Sequence, residues 1–296
     1  MRLTRLGITA NLSKTSVRPL TKKILAWCRR HNILPCVDPG LLRRLSIPEH
    51  AAHNLRQPLK KSDLILSLGG DGYLLTLARE LYPCSVPILP VNLGSLGFNA
   101  QCEPDELFKV LRLLRSGNIH FQKRMLLAYR VSNAKKTTAI KGVALNDVII
   151  HKNPVSRLLH LHLTVDALPL TTYRTDGLLV SSPTGSTAYN LAAQGPILHP
   201  EAKGVVITPI NPHCLHSRCI IIPERSSVEI THVQKKKQEE AVLSVDGQLH
   251  RELHPDDTLH VRKAPTPLTL AAPHPDTFYH NLRNKLLWGG SIIDAP

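Results

Sequence analysis

The sequence predicts an α/β domain with a parallel sheet, followed by a mostly-β domain. In the first 120 residues, short apolar runs alternate with stretches whose apolar residues recur at helical spacing, which is typical of strands joined by crossover helices. From about residue 121, apolar and polar residues alternate singly, which indicates half-buried strands. A length of 296 residues also fits about two domains. We therefore expect domains over residues 1–120 and 121–270, and a last segment over residues 271–296.

The α/β region begins with a strand, a helix and a second strand. In the helix, Leu20, Ile24 and Trp27 recur every three or four residues and so share one face. Pro83 ends a later helix, because proline lacks the backbone N–H that a helix needs. The predicted elements are strand Leu6–Ala10, helix Val17–His31, strand Ile33–Val37, strand Leu64–Leu68, the helix before Pro83, strand Pro87–Val91 and helix Pro104–Arg115.

The second region is predicted to consist mainly of strands. Leu159–Val165 is the clearest one, since its Leu and Val residues alternate with His and Thr. Similar runs separated by Pro, Gly and Asn turns predict strands at Val143–Ile150, Leu178–Ser182, Val205–Thr208, Cys219–Ile222, Val228–Thr231, Ala241–Val245 and Leu259–Val261. Helices are predicted only at Thr187–Ala193 and Thr277–Trp288.

The charge balance indicates a protein that binds small polyanions. Lys and Arg number 37 against 22 Asp and Glu, giving a net charge of +15, which attracts nucleic acids, acidic lipids or nucleotides. An aromatic content of 4% leaves few side chains for stacking on bases, and no apolar run reaches the length of a membrane span. The six cysteines show no paired spacing, which indicates a reducing compartment. We expect a cytoplasmic protein with no nucleic-acid partner and no membrane association.

Two glycine-rich turns follow predicted strands of the α/β region. They are Gly69–Gly72 (GGDG) and Asn92–Phe98 (NLGSLGF). Glycines let backbone N–H groups approach a phosphate closely, and ligands bind at the carboxyl ends of parallel strands. Asp71 would repel a phosphate unless a hydroxyl proton or a cation lay beside it. It is therefore a candidate general base or metal-side carboxylate, or else an N-cap.

Polar segments also mark the mostly-β region. Asn146 and Asp147 stand at the head of an apolar strand, and Thr175–Tyr189 is a strand that leads into a Pro-Thr-Gly-Ser-Thr turn. The hydroxyl and N–H groups of such a turn can hydrogen-bond a ribose or an amide. These segments therefore predict a second set of ligand contacts.

Taken together and in this order, the motifs resemble those of the NAD kinase family. Asn211–Arg218 (NPHCLHSR) and Ser244–Gln248 (SVDGQ) complete the set, and Thr175–Leu198 is its most specific block. GGDG by itself is also similar to phosphofructokinases and to diacylglycerol and sphingosine kinases. The resemblance implies a phosphofructokinase-like α/β domain, a β-rich domain, and a C-terminal segment that returns to the first domain.

The resemblance also implies the reaction. NAD kinases transfer a phosphoryl group from ATP, with a divalent cation such as Mg²⁺, to the adenosine 2′-hydroxyl of NAD, and the product is NADP. Some members use polyphosphate instead, and no motif here decides the donor. A homodimer or homotetramer is also implied.

Several site residues are carried over by similarity. Asp71 is the implied general base, and Gly70, Asp71 and Gly72 are implied substrate or NAD contacts. Asn146 and Asp147 match the pair that contacts the riboses and the diphosphate of NAD. The remaining implied NAD contacts are Asp176, Thr184, Thr187, Ala188, Tyr189 and Asp246. Tyr73 and Gln194 depart from the family pattern, which has a small or polar residue and a glycine at these positions.

Two other functions are compatible with parts of the sequence. A lipid or sugar kinase could share GGDG, although the Thr175–Pro196 block argues against it. A non-catalytic NAD sensor could bind the dinucleotide without turnover, although the intact Asp71 argues against that.

Overall fold

A computed structural model describes residues 3–46, 55, 58–94, 97–99, 102–133, 136–233, 239–272 and 277–286. The chain divides into two compact units. The first contains Met1–Lys123 and Leu268–Pro296, and the second contains Arg124–Pro267. Among the described helices, none is long and apolar enough to cross a membrane.

The first unit contains a six-stranded sheet of the predicted parallel kind. The order is β2-β1-β3-β4-β18-β5, and the pairs from β2 to β18 are parallel. Its strands are β1 (Arg5–Ala10), β2 (Leu34–Val37), β3 (Leu64–Gly69), β4 (Ile88–Asn92), β5 (His120–Arg124) and, from the end of the chain, β18 (Leu268–Ala272). Every residue of β3 and β4 is buried, as expected for parallel strands covered on both faces.

The second unit contains two antiparallel six-stranded sheets. Their orders are β10-β9-β14-β17-β6-β7 and β13-β12-β11-β8-β15-β16. Apolar side chains from both sheets form one core, to which β9 contributes Leu159, Leu161 and Leu163. The strands are β6 (Leu127–Asn133), β7 (Lys136–Ala144), β8 (Asp147–Lys152), β9 (Leu159–Val165), β10 (Leu168–Thr175), β11 (Gly177–Ser181), β12 (Gly204–Ile210), β13 (Ile220–Pro223), β14 (Val228–His232), β15 (Ala241–Val245), β16 (Leu249–Leu253) and β17 (Thr258–Lys263).

Helices belong mainly to the first unit. Leu20, Ile24 and Trp27 of the first helix are buried, which confirms the face predicted for them. The fourth helix ends at Ser116 and is capped by Gly117, whose φ of 81° suits glycine in a left-handed C-terminal position. The helices are α1 (Val17–Arg30), α2 (Pro39–Arg44), α3 (Asp71–Leu81), α4 (Leu107–Ser116), α5 (Tyr189–Ala192) and α6 (Thr277–Leu286).

Two predicted elements differ from the structure in kind or continuity. The single strand Val143–Ile150 is wrong, because β7 ends at Ala144 and β8 begins at Asp147. The predicted helix Thr187–Ala193 is a 3-10 turn, Thr184–Thr187, followed by the short α5. The last predicted helix is helical over its described part, Thr277–Leu286, and its final two predicted positions lie outside the described residues.

Several strands have no apolar pattern from which to predict them. β5, β10 and β16 are mostly exposed along their length, so their side chains do not alternate between a core and solvent. Backbone hydrogen bonds hold such edge strands in place, and these bonds leave little trace in the sequence.

Candidate active site

Asp71 is the first residue of α3, directly after β3 and Gly70. The N-cap position belongs to Gly70, so the alternative of Asp71 as an N-cap is wrong. An acidic residue in the first helical turn is stabilised by the helix dipole. The side chain makes tertiary contacts with the second glycine turn.

The Asp71 carboxylate joins the two glycine turns. Its Oδ2 accepts a hydrogen bond from the backbone N–H of Phe98 at 2.7 Å, and its Oδ1 accepts one from Asn99 at 3.2 Å. A Cβ atom at Gly97 would lie only 2.1 Å from Oδ1. Only glycine lets the second turn approach this closely, and its amides fix the orientation of the carboxylate.

A lysine side chain reaches the same second turn. A Cβ atom at Gly94 would lie 3.3 Å from Lys14 Nζ. Lys14 is exposed and belongs to the loop between β1 and α1. The carboxyl edge of this sheet therefore combines glycine turns, a carboxylate and an ammonium group.

Tyr73, the first departure from the family pattern, ties the beginning of α3 to β1. Its hydroxyl group hydrogen-bonds to the Thr9 hydroxyl. Burial raises the pKa of Tyr73, a shift that the Thr9 hydrogen bond partly offsets, so the phenol stays neutral. The tyrosine side chain, larger than the residue usual in the family, therefore links the beginning of α3 to β1 beside the GGDG turn.

The second unit contains a cavity of about 490 Å³ beside β8, within the size range of small-molecule sites. Six of the residues carried over by similarity line it: Asn146, Asp147, Asp176, Ala188, Tyr189 and Asp246. Thr184 and Thr187 belong to the adjacent 3-10 turn and do not line the cavity. Gly70, Asp71 and Gly72 lie in the first unit.

Asp246 holds the Asn146–Asp147 pair in place. Its Oδ1 accepts hydrogen bonds from the N–H groups of Asn146 and Asp147 at 2.8 and 3.2 Å, and its Oδ2 accepts one from Leu145 at 3.2 Å. Its own N–H donates to the Asp147 carbonyl at 3.0 Å. These bonds occupy N–H groups between β7 and β8 in place of strand pairing. This explains why β7 and β8 are separate strands.

Asp147 carries a carboxyl group that titrates near neutrality. Only 3% of the residue is exposed. Burial, and then the negative charge of Asp246, raise the pKa of Asp147 to about 7. Both protonation states are therefore populated near pH 7, and the group can donate or accept a hydrogen bond.

Asp176 is held in its ionised form by two donors. Lys152 Nζ lies 2.9 Å from its Oδ1, and Asn211 Nδ2 donates to its Oδ2 at 3.1 Å. Burial tends to raise the pKa of Asp176. The hydrogen bonds from Lys152 and Asn211, and the charges of Lys152 and His213, outweigh burial and lower the pKa.

The turn before α5 packs directly on the Asn146 backbone. A Cβ atom at Gly185 would lie 2.1 Å from the Asn146 carbonyl oxygen, so glycine is required for this contact. The Ser182 hydroxyl donates to the Leu145 carbonyl at 2.5 Å. The Pro-Thr-Gly-Ser-Thr segment is therefore a fixed wall beside the Asn146–Asp147 pair.

Two buried side-chain oxygens near this wall lack hydrogen bonds. They are Asn146 Oδ1 and Thr184 Oγ1, and no partner is found for either atom within the described parts of the chain. Buried polar atoms are normally satisfied. Asn146 Oδ1 is therefore an acceptor available to a ligand donor.

Sequence reasoning missed four polar residues that line the cavity: His151, Lys152, Asn211 and Ser244. Asn211 and Ser244 begin motifs already recognised in the sequence, so those motifs carried the signal. Side chains alternate between the two faces of a strand, so Lys152 is expected on the face of β8 opposite Asp147. Only the structure shows that it lines the cavity.

A metal site of protein ligands is not formed by the described residues. No group of three or more His, Cys, Asp or Glu side chains is arranged to hold a metal ion in the described ranges.

Comparisons with known sequences give a consistent result. A sequence profile of the ATP-NAD kinase N-terminal domain matches residues 7–119, and one of the ATP-NAD kinase C-terminal domain matches residues 145–272. The NAD kinase of Moorella thermoacetica is 37% identical over 291 residues, covering 98% of this chain and 91% of the relative. That of Geobacter sulfurreducens is 36% identical over 290 residues, covering 96% and 99%.

Solved structures show the same fold. Yeast NADH kinase complexed with NADH has a TM-score of 0.88 at 25% identity, over 98% of this chain and 89% of the yeast chain. An NAD kinase from Archaeoglobus fulgidus in complex with ATP has a TM-score of 0.70 at 20% identity, over 97% of this chain and all of that chain.

Proposed function

This chain belongs to the NAD kinase family, and from that premise we propose that it transfers a phosphoryl group from ATP to the adenosine 2′-hydroxyl of NAD. The transfer gives NADP and ADP. The family match supports this reaction over the lipid kinase, sugar kinase and NAD sensor alternatives. The observation that carries the proposal at the site is the cavity beside β8, on which six of the carried-over residues converge.

Asp71 is the proposed general base. Its two oxygens are oriented by the amides of Phe98 and Asn99, which supports a fixed direction toward a substrate hydroxyl. An ordinary carboxylate suffices, because phosphoryl transfer passes through a loose transition state in which the hydroxyl is deprotonated late. The Asp71 carboxylate accepts that proton as the new O–P bond forms and ADP leaves.

The glycine turns of the first unit are the proposed place for the phosphates of ATP. Gly70 and Gly72 lie at the start of α3, where the helix dipole favours a phosphate, and Lys14 offers a positive charge beside Gly94 of the second turn. We propose that Mg²⁺ arrives bound to ATP, because its phosphates supply the oxygens that this cation prefers. A bound cation neutralises charge on the phosphates.

The cavity of the second unit is the proposed NAD site. Asn146 Oδ1 has no hydrogen-bond partner among the described residues, and Asp147 can donate or accept near neutral pH, so both suit ribose hydroxyl groups. Asp176, Ala188 and Tyr189 provide other walls of the cavity. Asp246 acts by holding Asn146 and Asp147, and Thr184 and Thr187 act by shaping the adjacent turn.

Location and assembly are also proposals. Six free cysteines support a reducing cytoplasm. Exposed Leu168 and Leu170 on β10 support a homodimer or homotetramer, whose size light scattering will measure.

The reaction is tested with purified protein, NAD and Mg²⁺, supplied with either ATP or polyphosphate. An NADP-specific dehydrogenase reads the product, so phosphorylation at any other hydroxyl gives no signal. We expect NADP with ATP, and the polyphosphate reaction determines donor range. NAD binding without NADP from either donor would favour the sensor, and absence of NAD binding would contradict the proposal.

A further inference from the structure

The charges that line the cavity are unevenly distributed. Asp147, Asp176 and Asp246 supply carboxyl groups, whereas Lys152 is the one Lys or Arg among the described lining residues. A dinucleotide carries a negatively charged diphosphate, which carboxylates repel. The position of Lys152 therefore matters more here than that of a lysine on an open surface.

Lys152 is bound to Asp176 through both backbone and side chain. Its N–H donates to the Asp176 carbonyl at 2.8 Å, and its ammonium group lies 2.9 Å from Oδ1. Asn211 donates to the other oxygen. Oδ1 is held by the ammonium charge and has no hydrogen-bond partner among the described residues, whereas Oδ2 accepts the amide hydrogen bond. The two contacts hold the carboxylate, and Oδ1 keeps acceptor capacity for a ligand.

This ion pair is more enclosed than an ordinary surface pair. The side chains of Lys152 and Asp176 are 29% and 26% exposed. An ammonium group has three donors, and Asp176 occupies one of them. The remaining N–H groups of Lys152 are available to oxygen atoms of a bound substrate.

We propose that Lys152 is a positioning residue for the dinucleotide: it fixes the Asp176 carboxylate and offsets the negative charge of the cavity. The inference rests on the proposed function, because the cavity is taken as the NAD site. Lys152 acts on NAD binding and takes no part in the transfer step.

Steady-state kinetics of Lys152→Met test the proposal, because methionine keeps the length of the side chain without its charge. We expect KM for NAD to rise about tenfold, with kcat and KM for ATP within about twofold of wild type. Lys152→Arg restores the charge and should return KM for NAD to within about threefold.

Lys263→Met is the matched control. Lys263 Nζ lies 2.7 Å from Glu224 Oε2 in the same unit, and neither residue lines the cavity. Its kinetics should match wild type. An equal rise in KM in this control would indicate a general loss of charge, and would overturn the assignment to Lys152.

A double mutant separates positioning of Asp176 from other effects. In an Asp176→Asn background, Lys152→Met should raise KM for NAD by only about threefold, because only the offset of negative charge is left to lose once the carboxylate is absent. A full tenfold effect in that background would show that Lys152 acts without Asp176, and would contradict positioning.

The pH dependence of KM for NAD is a measurement that a purely structural role of Lys152 would leave unchanged. Asp176 is faced by Lys152 from β8 and by Asn211 and His213 from the segment after β12. Without Lys152, burial raises the pKa of Asp176 again. The variant-to-wild-type ratio of KM for NAD should therefore grow from about pH 8 to about pH 5.

The ratio is measured again in a His213→Gln background, which removes the imidazole that also faces Asp176. A pH-independent ratio in both backgrounds would overturn the inference. Failure of the proposed function is distinct, because wild type would then form no NADP. Wild-type activity with an unchanged KM in Lys152→Met overturns the inference alone.

Discussion

Asp147 bears a buried carboxyl group next to the charge of Asp246, and this placement costs folding energy. The pKa of Asp147 is about 7 in the folded protein, whereas a carboxyl group in the unfolded chain has a pKa near 4. Between these values the folded state binds more protons than the unfolded state. Stability from this group is present below about pH 4 and is lost as pH rises through about 7.

Asp147→Asn should remove this pH dependence. The amide cannot ionise, so we expect the variant to be more stable than wild type at about pH 8, by up to about 4 kcal/mol. At about pH 4 the two proteins should differ little. Chemical denaturation across this pH range measures the difference, and a gap that stays constant with pH would contradict the assignment.

Two residues illustrate what a sequence reveals about a site. Asp147 was predicted from the Asn-Asp pair at the head of a strand, because the motif stands out locally. Lys152 was not predicted, because strand alternation assigns it to the face opposite Asp147. Its partner Asp176 also lies 24 positions away along the chain. A contact between strands that are remote in sequence leaves no local pattern.

The turn after α5 contains a residue in a strained backbone conformation. Gln194 has a φ of 63°, in the left-handed region where residues with a Cβ atom are disfavoured. The family pattern has glycine at this position. The departure noted in the sequence therefore has a conformational cost, and it lies outside the lining of the cavity.

Gln194→Gly should stabilise the protein. Glycine adopts the left-handed region without strain, and this gain exceeds the entropy that glycine adds to the unfolded chain, so we expect an increase of about 0.5–1 kcal/mol. The neighbouring Ala193→Gly is the control, because Ala193 has an ordinary φ of −82° and the change should destabilise. Thermal unfolding measures both, and a lower melting temperature for Gln194→Gly would contradict the explanation.

The contact between Asp71, at the start of α3, and the second glycine turn also depends on a glycine. In Gly97→Ala, the new methyl group would overlap the Asp71 carboxylate, so the carboxylate or the turn must move. We expect kcat to fall about 100-fold, because a displacement of about 1 Å can cost that much in an active site. Steady-state assays measure kcat, and circular dichroism checks that the variant is folded. A folded Gly97→Ala with normal kcat would exclude Asp71 from the chemistry.

For the whole molecule, the buried parts of the fold could be predicted and the exposed parts could not. β3 and β4 are buried throughout, so their apolar runs are continuous and flanked by clear turns. β10 and β16 are largely exposed edge strands, and their sequences carry no periodic signal. The break between β7 and β8 was also missed, because it depends on the Asp246 carboxylate, which is 100 positions from Asn146.

The excess of positive charge is consistent with two phosphate-bearing substrates, but it does not identify where they bind. Of 37 Lys and Arg residues, the structure singles out Lys14 beside the second glycine turn and Lys152 in the cavity lining. Net charge therefore indicated the class of ligand, and geometry assigned individual side chains.

The most direct test of the central claim compares wild type with Asp71→Asn in two assays. One measures NADP formed from NAD, ATP and Mg²⁺, and the other measures NAD affinity by calorimetry. We expect wild type to form NADP, and we expect Asp71→Asn to lose at least about 100-fold in rate while its NAD affinity stays within about threefold. NADP formation by Asp71→Asn within a few-fold of wild type would contradict the assignment of Asp71 as the base.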